Sequence, residues 1–253
     1  MFDLTGRLAL VTGAGQNVGA GIAKALASVG AVVAVNDYHA DRAECVVKEI
    51  VDAGGRAIPA VFDVTQLDAV TEAVRSLVEI EGAVDILVNN AGNAGAEAVR
   101  LAQFVDMDPK EWRATIDVNI YGVLNCCKAT LPSMIERGWG RIISISSASG
   151  LRGADFGVSI YSAAKAGAMG FTRALAAEVG KSGITVNAIA LGMIPPHEIS
   201  AADPLLGERI SSIVVGRAGR PEDPGALAVY LASSEASWIT GDTILLNGGS
   251  YMR

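Results

Sequence analysis

The N-terminal segment of the chain combines an apolar run, a glycine-rich loop and a second apolar run with helical spacing. Residues 7–12 form a short, mostly apolar run that ends at a glycine, which is typical of a buried strand. The loop from Gly13 to Gly21 follows, and residues 22–27 have the composition of a helix. Glycines let a backbone approach a ligand closely, and a helix N-terminus favours negative charge. The segment therefore predicts a strand–loop–helix unit that cradles a diphosphate, with a flexible turn as the alternative.

Strand-like and helix-like segments alternate along the rest of the chain. We predict strands at 7–12, 31–37, 57–62 and 85–88, at 142–145, within 182–192 and within 240–249. Helices are predicted from residue 22, at 40–53, 66–80, 112–136 and 160–180, and through residue 233. No linker, repeat or low-complexity stretch interrupts this order, so residues 1–253 are predicted to form a single α/β domain with a doubly wound parallel sheet flanked by helices.

Composition and charge exclude several classes of partner. The net charge is −7, which disfavours nucleic acid or an anionic membrane as the main partner. The longest apolar runs fall short of the roughly 20 residues that a membrane span needs. Cys45, Cys126 and Cys127 have no metal-binding or redox spacing, and the adjacent pair is predicted to be buried in a reducing compartment. We therefore expect a cytoplasmic protein with no metal.

Tyr161 and Lys165 are the candidates for proton transfer. They lie four positions apart in a run with helical composition, so both side chains share one helix face. A phenol with its ordinary pKa of about 10 is a poor base at neutral pH, but a nearby cation lowers that pKa. We predict that Lys165 lowers the pKa of Tyr161 and makes it a base near neutrality. A buried tyrosine beside a solvated lysine is the alternative.

An aspartate ends the second predicted strand, 18 residues after Gly19. Its carboxylate, on Asp37, can accept hydrogen bonds from ribose hydroxyls and would repel a 2′-phosphate. Residue 16 is a glutamine and offers no cation to hold that phosphate, although Arg42 lies nearby. We therefore predict NAD as the cofactor, with NADP less favoured; a helix cap is the alternative role for Asp37.

The ordered set of these motifs resembles the short-chain dehydrogenase/reductase family from Thr12 to Gly249. The resemblance implies a Rossmann-type fold, a secondary alcohol or ketone substrate, and a homotetramer with helices 112–136 and 160–180 as contacts. It also implies a catalytic tetrad. The matching residues are Asn119, Ser147, Tyr161 and Lys165.

The glycine loop (residues 12–19) resembles the T-G-x-x-x-G-x-G loop of that family, with an asparagine, Asn17, where its middle glycine is expected. Asparagine tolerates a positive φ better than most residues, so the turn can survive. The residues that the resemblance assigns to the cofactor are Gly13, Gln16, Asn17, Val18, Gly19, Asp37, Asp63, Val64, Asn90, Ala91, Gly92, Tyr161, Lys165, Gly192 and Ile194. Asp63 could instead cap the helix predicted at 66–80.

The choice of the catalytic serine rests on the x-x-Gly that follows it in the family, which selects Ser147. Ser146 and Ser149 are the competitors, and a structural serine bonded to backbone is the alternative role. The spacing from Ser147 to Tyr161 is 14, about one residue longer than the family leads us to expect. We attribute the difference to an insertion within 151–159.

The nicotinamide end departs further from the family pattern. Leu191 replaces the usual proline, and Pro195 and Pro196 occupy the stretch where a threonine is expected. Residues 193–213 lack strong periodicity and are predicted to be the substrate-covering loop, with His197 as a surface residue. The loops 93–105, 151–159 and 193–213 carry few charges, which favours a neutral or apolar substrate such as a 3-oxoacyl thioester, a polyol or a cyclic alcohol. A catalytically silent NAD-binding regulatory or scaffold protein is the alternative function.

Overall fold

The computed structural model describes residues 1–92, 101–154, 157–195 and 204–252. Its strands are β1 (Leu8–Val11), β2 (Val32–Asp37), β3 (Arg56–Val61), β4 (Ile86–Asn89), β5 (Gly140–Ser147), β6 (Ile184–Leu191) and β7 (Thr243–Leu246). In the described ranges these strands form one sheet in the order β3-β2-β1-β4-β5-β6-β7, and all neighbouring pairs are parallel. The prediction of a doubly wound parallel sheet is therefore confirmed.

Helices connect consecutive strands and cover both faces of the sheet. They are α1 (Asn17–Ser28), α2 (Ala40–Asp52), α3 (Leu67–Glu81), α4 (Pro109–Ile116), α5 (Gly122–Arg137), α6 (Ser159–Val179), α7 (Pro204–Ser211) and α8 (Glu222–Ala232). None of them, within the described ranges, has the length and hydrophobicity needed to cross a membrane.

Alternate residues of strand β1 pack into two separate hydrophobic cores. Leu8 and Leu10 belong to a buried cluster with residues of α3, α5 and α6. Ala9 and Val11 belong to a second cluster with residues of α1, α2 and α8. Since successive side chains of a strand point to opposite faces, the sheet lies between two helical layers.

The chain reverses direction along the sheet beside β1. It runs outward from β1 through β2 to β3, and then returns to place β4 on the other side of β1. In an open parallel sheet, such a reversal leaves a crevice at the carboxyl ends of the two central strands. The fold thus predicts the site between the residues that follow β1 and those that follow β4.

The helix predicted at 112–136 is in fact two helices joined by a wide turn. Asp108 caps the N-terminus of α4, and Pro109 takes its first position, so the helix starts earlier than predicted. Residues Asp117–Tyr121 form a π-helical turn, in which the N–H of Gly122 bonds to the carbonyl five residues earlier. Such turns widen a helix locally and are frequent at functional sites.

Two further boundaries differ from the prediction. The first helix begins at Asn17 and includes the end of the glycine loop, because a helix can start within a glycine-rich segment that lacks apolar periodicity. Residues 193–213 were predicted to be a loop, but they contain α7. Residues 196–203, including Pro196 and His197, lie outside the described part of the chain, as do 93–100 and 155–156.

The predicted burial of the two adjacent cysteines is confirmed. Cys126 and Cys127 are buried on α5, whereas Cys45 is exposed, and all three are free thiols. Burial raises the pKa of the Cys126 thiol and raises that of Cys127 to about 12. Both buried thiols therefore behave as small hydrophobic side chains.

The buried carboxylate of Asp85 connects neighbouring elements at the end of the sheet where the strands begin. The side chain of Asp85, which is 5% exposed, accepts hydrogen bonds from Arg7 Nη1 at 3.0 Å and Arg137 Nη1 at 2.7 Å. It also accepts the backbone N–H of Leu8 at 3.0 Å. One carboxylate thus joins the starts of β1 and β4 to the end of α5.

We expect Asp85→Ala to lower the free energy of unfolding by about 3 kcal/mol, since it leaves two guanidinium groups and a backbone N–H without their acceptor. Urea unfolding at neutral pH measures this change. The matched control is Asp52→Ala, which removes an exposed carboxylate paired with Lys48 and should change stability little. Equal losses in the two variants would contradict the structural role of Asp85.

Candidate active site

A cavity of about 490 Å³ opens at the carboxyl ends of β1, β2 and β4. It lies in the crevice that the sheet topology predicts. Most of the residues that the sequence assigned to a cofactor line it: Gly13, Gln16, Asn17, Val18, Gly19, Asp37, Asp63, Val64, Asn90, Ala91 and Gly92. The structure therefore brings residues from four separate segments of the chain into one cavity.

The glycine loop leaves no room for side chains at Gly13, Gly15 and Gly19. A Cβ on Gly19 would lie 2.3 Å from the Gly13 carbonyl oxygen and 2.5 Å from Asn90 Nδ2. A Cβ on Gly13, whose φ is +59°, would lie 2.8 Å from the Cα of Ala91. Asn17 has a φ of +47°, as expected for the residue that takes the place of a glycine.

A threonine and an asparagine tie the loop to the end of β4. Thr12 Oγ1 accepts the backbone N–H groups of Asn90 and Ala91, each at 3.0 Å. The Asn90 amide donates to the carbonyls of Thr12 and Gly13, each at 2.9 Å. These bonds fix the width of the crevice between β1 and β4.

Asp37 holds the loop from the other side of the cavity. It is 6% exposed, and its carboxylate accepts the Gly15 N–H at 3.2 Å and the His39 N–H at 2.9 Å. The residue that caps α2 is His39 and not Asp37, so the capping alternative does not hold. The carboxylate is instead fixed in the wall of the cavity.

Asp63 makes a local turn in the floor of the same cavity. Its carboxylate accepts the backbone N–H and the hydroxyl of Thr65, each at 2.8 Å. The N-cap of α3 is Gln66, so Asp63 does not cap that helix. The turn places Asp63 and Val64 beside the cavity, and their contact with a cofactor stays a prediction.

The predicted catalytic residues meet at the end of β5. Tyr161 and Lys165 lie on one face of α6, and the Lys165 ammonium lies 5.7 Å from the centre of the Tyr161 ring. Hydrogen bonding to the Ser147 side chain acts on the Tyr161 phenol. Ser146 is buried and donates to the backbone carbonyl of Lys165 at 3.0 Å, which makes it structural. Ser146 is therefore turned to the backbone of α6, and the choice of Ser147 over Ser149 as the catalytic serine stays a prediction.

The predicted effect of Lys165 on the pKa of Tyr161 is wrong for the free protein. Burial raises the pKa of Tyr161, and the hydrogen bond with Ser147 offsets that rise only in part. Burial also lowers the pKa of Lys165 from 10.5 to about 8. The ammonium donates to the Ile145 carbonyl at 2.9 Å, a neutral partner that leaves its charge largely uncompensated.

Asn119 lies in the π-helical turn and faces the same cluster. It is 1% exposed, and its amide donates to the Thr115 carbonyl at 2.9 Å. Its Oδ1 has no hydrogen-bond partner among the described residues. A Cβ on Gly92 would lie 2.7 Å from Asn119 Oδ1 and 3.2 Å from Lys165 Nζ. Gly92 also lines the cavity, so it connects the cavity to the predicted catalytic residues Asn119 and Lys165, which with Ser147 and Tyr161 are called the catalytic cluster below.

The remaining predicted cofactor residues lie after β6. The N–H of Gly192 donates to the carbonyl of Leu246 at 3.0 Å, and a Cβ on Gly192 would lie 2.7 Å from the Cα of Asn247. The Ile194 side chain packs against Gly219 and the hydrophobic core. Neither residue lines the cavity at the glycine loop, so their part in binding a cofactor stays a prediction.

One supporting residue, Asn36, was not identified from the sequence, and another, Ser149, was named only as a competitor for the catalytic serine. Asn36 accepts the Gly13 N–H at 3.2 Å and donates to the carbonyls of Ala60 and Phe62 at 2.9 and 3.0 Å. Ser149 donates its N–H to Ser147 Oγ at 3.2 Å. A polar residue at the end of a buried strand was the available signal for Asn36, since a buried amide needs partners.

The described residues fit a dinucleotide. The cavity offers the N-terminus of α1, a loop in which side chains are excluded at Gly13 and Gly19, and a fixed carboxylate at Asp37. The buried Oδ1 of Asn17 in its wall has no protein partner among these residues. A diphosphate at the helix N-terminus and ribose hydroxyls at Asp37 match these groups in charge and hydrogen bonding, whereas the Asn17 oxygen accepts only from a donor such as a hydroxyl.

We expect Lys165→Met to stabilise the free protein at pH 7 by about 2 kcal/mol. The shift of the pKa of Lys165 from 10.5 to about 8 corresponds to roughly 3 kcal/mol, from which the lost bond to Ile145 subtracts. The unfolded chain holds this proton more tightly than the folded one, so wild-type stability rises between pH 8 and 10.5. The advantage of methionine should therefore shrink over that interval.

Urea unfolding of both proteins at pH 7 and pH 10 measures this difference. The control is Lys128→Met, which replaces an exposed lysine on α5 and should change stability little at either pH. A Lys165→Met protein that is less stable than wild type at pH 7 would contradict the burial cost.

Comparison with known proteins identifies the family. A family model described as enoyl-(acyl carrier protein) reductase matches residues 13–251. The acetoacetyl-CoA reductase of Rhizobium meliloti is 42% identical and covers 97% of this chain and 98% of its own length.

Solved structures give the same result. A 3-oxoacyl-(acyl-carrier protein) reductase with bound NAD from Brucella melitensis has a TM-score of 0.91 and 32% identity, over 100% of this chain and 94% of that one. A gluconate 5-dehydrogenase from Burkholderia cenocepacia in complex with NADP and tartrate has a TM-score of 0.90 and 32% identity, over 98% and 96%. The chain therefore belongs to the short-chain dehydrogenase/reductase family, whose members are oxidoreductases that use nicotinamide cofactors.

Proposed function

We propose that the protein is an NAD-dependent oxidoreductase that transfers a hydride between the nicotinamide and a secondary alcohol or ketone. The observation that carries this proposal is the position of Gly92. This residue lines the dinucleotide cavity and also lies against Asn119 and Lys165 of the catalytic cluster. A cofactor held at the glycine loop would thus extend toward Tyr161.

The chain supplies the proton chemistry of this reaction. When bound, the nicotinamide accepts or donates the hydride. In alcohol oxidation Tyr161, as phenolate, takes the hydroxyl proton, and in ketone reduction it returns that proton to the forming alkoxide. Ser147 donates a hydrogen bond to the reacting oxygen. The charge of Lys165 opposes the cost of forming the phenolate, although burial holds the pKa of Tyr161 high in the free protein.

Asn119 lies close to Lys165 and is proposed to support the cluster of Ser147, Tyr161 and Lys165. Its buried Oδ1 has no partner among the described residues, and such an atom is a suitable acceptor for a bound water. A water there would link the Lys165 ammonium to solvent and allow the proton to be replaced after each turnover. The π-helical turn directs the Asn119 side chain toward Gly92 and Lys165.

The choice of NAD over NADP rests on the fixed carboxylate of Asp37. Because two backbone N–H groups hold it in the cavity wall, it cannot turn away from a 2′-phosphate. The related structures contain NAD in one case and NADP in another, so the family alone allows both. Arg42 also lines the cavity and is the feature that favours NADP.

The proposed substrate class rests on the exposed side chains that follow β4 and on the activities that the relatives' names give. Exposed hydrophobic side chains, Leu101, Phe104 and Val105, follow the loop after β4. This surface suits an apolar acyl chain better than a strongly charged substrate. Acetoacetyl-CoA and 3-oxoacyl-(acyl-carrier protein) reductases are among the relatives, and gluconate 5-dehydrogenase represents polyols. We place 3-oxoacyl thioesters first, before polyols and cyclic alcohols.

A homotetramer located in the cytoplasm is part of the same proposal. Its predicted contacts involve the segment 112–136, where Ile116, Tyr121 and Ile135 are exposed hydrophobic residues. Such side chains are compatible with burial between subunits. Light scattering of the purified protein gives the mass that decides the oligomeric state.

A catalytically silent NAD-binding protein is the second candidate. Leu191 in place of proline and the absent threonine after it are the features that favour it. Asn17 no longer supports it, since this residue adopts the positive φ that the loop requires. Consumption of NADH with a panel of ketones and 3-oxoacyl thioesters separates the two functions.

Tyr161→Phe should lower kcat about 10³-fold and leave the Kd for NADH within about twofold, because the hydroxyl acts on the substrate proton. Stopped-flow absorbance of NADH measures hydride transfer, and NADH fluorescence measures binding. Tyr230→Phe is the control, since Tyr230 lies on α8 and its ring packs edge-on against the ring of Phe2. Hydride transfer at the wild-type rate in Tyr161→Phe would remove this residue from the mechanism.

Asp37→Ser should raise the ratio of kcat/KM for NADPH over NADH on the order of tenfold, since it removes a fixed negative charge that faces the 2′-phosphate. Steady-state kinetics with each cofactor measures the ratio. Asp41→Ser removes the same charge from an exposed position in the first turn of α2 and should leave the ratio unchanged. A wild-type preference for NADPH would overturn the assignment.

A further inference from the structure

The chain that follows β6 lies beside the predicted catalytic serine. β5 and β6 pair in the register Ser147 to Leu191, so the residues after Leu191 continue at the end of the sheet where Ser147 stands. The carbonyl of Met193 accepts the backbone N–H of Gly219 at 2.9 Å. A segment near the start of α8 thus holds the chain at the point where it leaves the sheet.

Residues 217–223 form a bridging segment that contacts two regions of the site. On one side, a Cβ on Gly219 would lie 2.8 Å from Ile194 Cγ1. On the other side, a Cβ on Gly21 of α1 would lie 2.4 Å from the carbonyl oxygen of Pro221. Both contacts are close enough to exclude a methyl group, so the bridging segment is packed directly against Ile194 and α1.

The two contacted regions are those that a dinucleotide is proposed to join. Helix α1 starts in the glycine loop, where the diphosphate is proposed to bind. Ile194 follows β6, which is the third strand from β1 in the sheet and therefore about 14 Å away from it at the usual strand spacing. The bridging segment consequently fixes the position of Ile194 relative to α1.

One carboxylate holds the bridging segment in its shape. Asp223 accepts Arg217 Nη1 at 2.7 Å and Arg217 Nη2 at 2.8 Å, which is a bidentate geometry. It also accepts the backbone N–H of Arg220 at 2.7 Å, and Arg217 donates to the carbonyl of Ala218 at 3.0 Å. The hydrogen bond from Arg217 lowers the pKa of Asp223 to about 2, so the pair stays ionised at neutral pH.

We propose that Arg217 and Asp223 are positioning residues for the nicotinamide half of the cofactor. Their ion pair fixes the bridging segment, and the bridging segment fixes Ile194, the residue predicted to lie beside the nicotinamide. The inference rests on the proposed function for the identity of the cofactor. Neither member of the pair lines the cavity at the glycine loop, so both act through Ile194.

The ion pair is placed to affect binding more than overall stability. The side chains of Arg217 and Asp223 are 45% and 30% exposed, and exposed ion pairs contribute little to the free energy of unfolding. A bidentate pair nevertheless restricts the backbone between its two members, and Gly219 lies in that stretch. Loss of the pair should therefore loosen Ile194 while the fold stays intact.

The test measures the binding of two ligands to the same variants. ADP-ribose lacks the nicotinamide ring of NADH, and isothermal titration calorimetry gives the Kd of each. Arg217→Gln and Asp223→Asn should each raise the Kd for NADH about fivefold and leave the Kd for ADP-ribose within about twofold, because the ring is the part predicted to meet Ile194. The double variant should match the single ones, since all three lose the same bond.

The control is Arg75→Gln, which removes a bidentate pair with Glu72 on the exposed surface of α3 and should change neither Kd. An NADH-selective loss that does not increase in the double variant supports the inference. An unchanged Kd for NADH, an equal loss for both ligands, or additive losses in the double variant overturns it. A wild type that binds the two ligands equally well overturns it too.

Binding decides the inference separately from the proposed function, since no turnover is needed. A protein that shows the NADH-selective loss but oxidises no alcohol and reduces no ketone would contradict the function and support the positioning role. Hydrogen exchange followed by NMR gives a second readout. The Gly219 amide should exchange faster in Arg217→Gln than in wild type, because its bond to Met193 is then less well held. Exchange at the wild-type rate overturns the inference.

Discussion

The close approach of β1 and β4 at their carboxyl ends is the constraint on which the site depends. At Gly13 there is space for hydrogen only, because Ala91 lies against it. The Thr12 hydroxyl fixes the spacing of the two strand ends by accepting two backbone N–H groups from the β4 side. Since Gly92 follows directly, the same contact that shapes the glycine loop also sets where Asn119 and Lys165 approach the cavity.

Burial shifts the pKa values of Tyr161 and Lys165 and raises the free-energy cost of their charged forms. Lys165 and Asn119 are buried and Tyr161 is half-buried, and among the described residues the Lys165 ammonium donates to a neutral carbonyl. Such an environment disfavours charge in the free protein, for the ammonium and for the phenolate alike. The two hydrophobic cores on either side of the sheet offset this cost, since they fix the strands from which the polar groups project.

Much of this architecture follows from local sequence, and the exceptions have physical causes. The strand–loop–helix unit, Asp37 at the end of β2, and the shared helix face of Tyr161 and Lys165 depend on short-range spacing, so they could be predicted. The π-helical turn around Asn119 could not, because one extra residue in a helical turn barely alters apolar periodicity. The raised pKa of Tyr161 could not be predicted from the sequence either, because it depends on burial by segments that are distant in the chain. Parts of the predicted covering loops, namely residues 93–100, 155–156 and 196–203, lie outside the described residues.

The carboxylate clamp at Asp85 has a consequence for how the loops of this chain can change. It fastens β1, β4 and α5 at the edge of the sheet opposite to the cavity, through bonds that involve none of the loops around the reacting groups. The bonds that hold β1, β4 and α5 together are therefore separate from the loops that are predicted to cover the substrate. Loop sequences can drift, lengthen or be exchanged without loosening the frame, which gives evolution and protein engineers the same freedom to change selectivity.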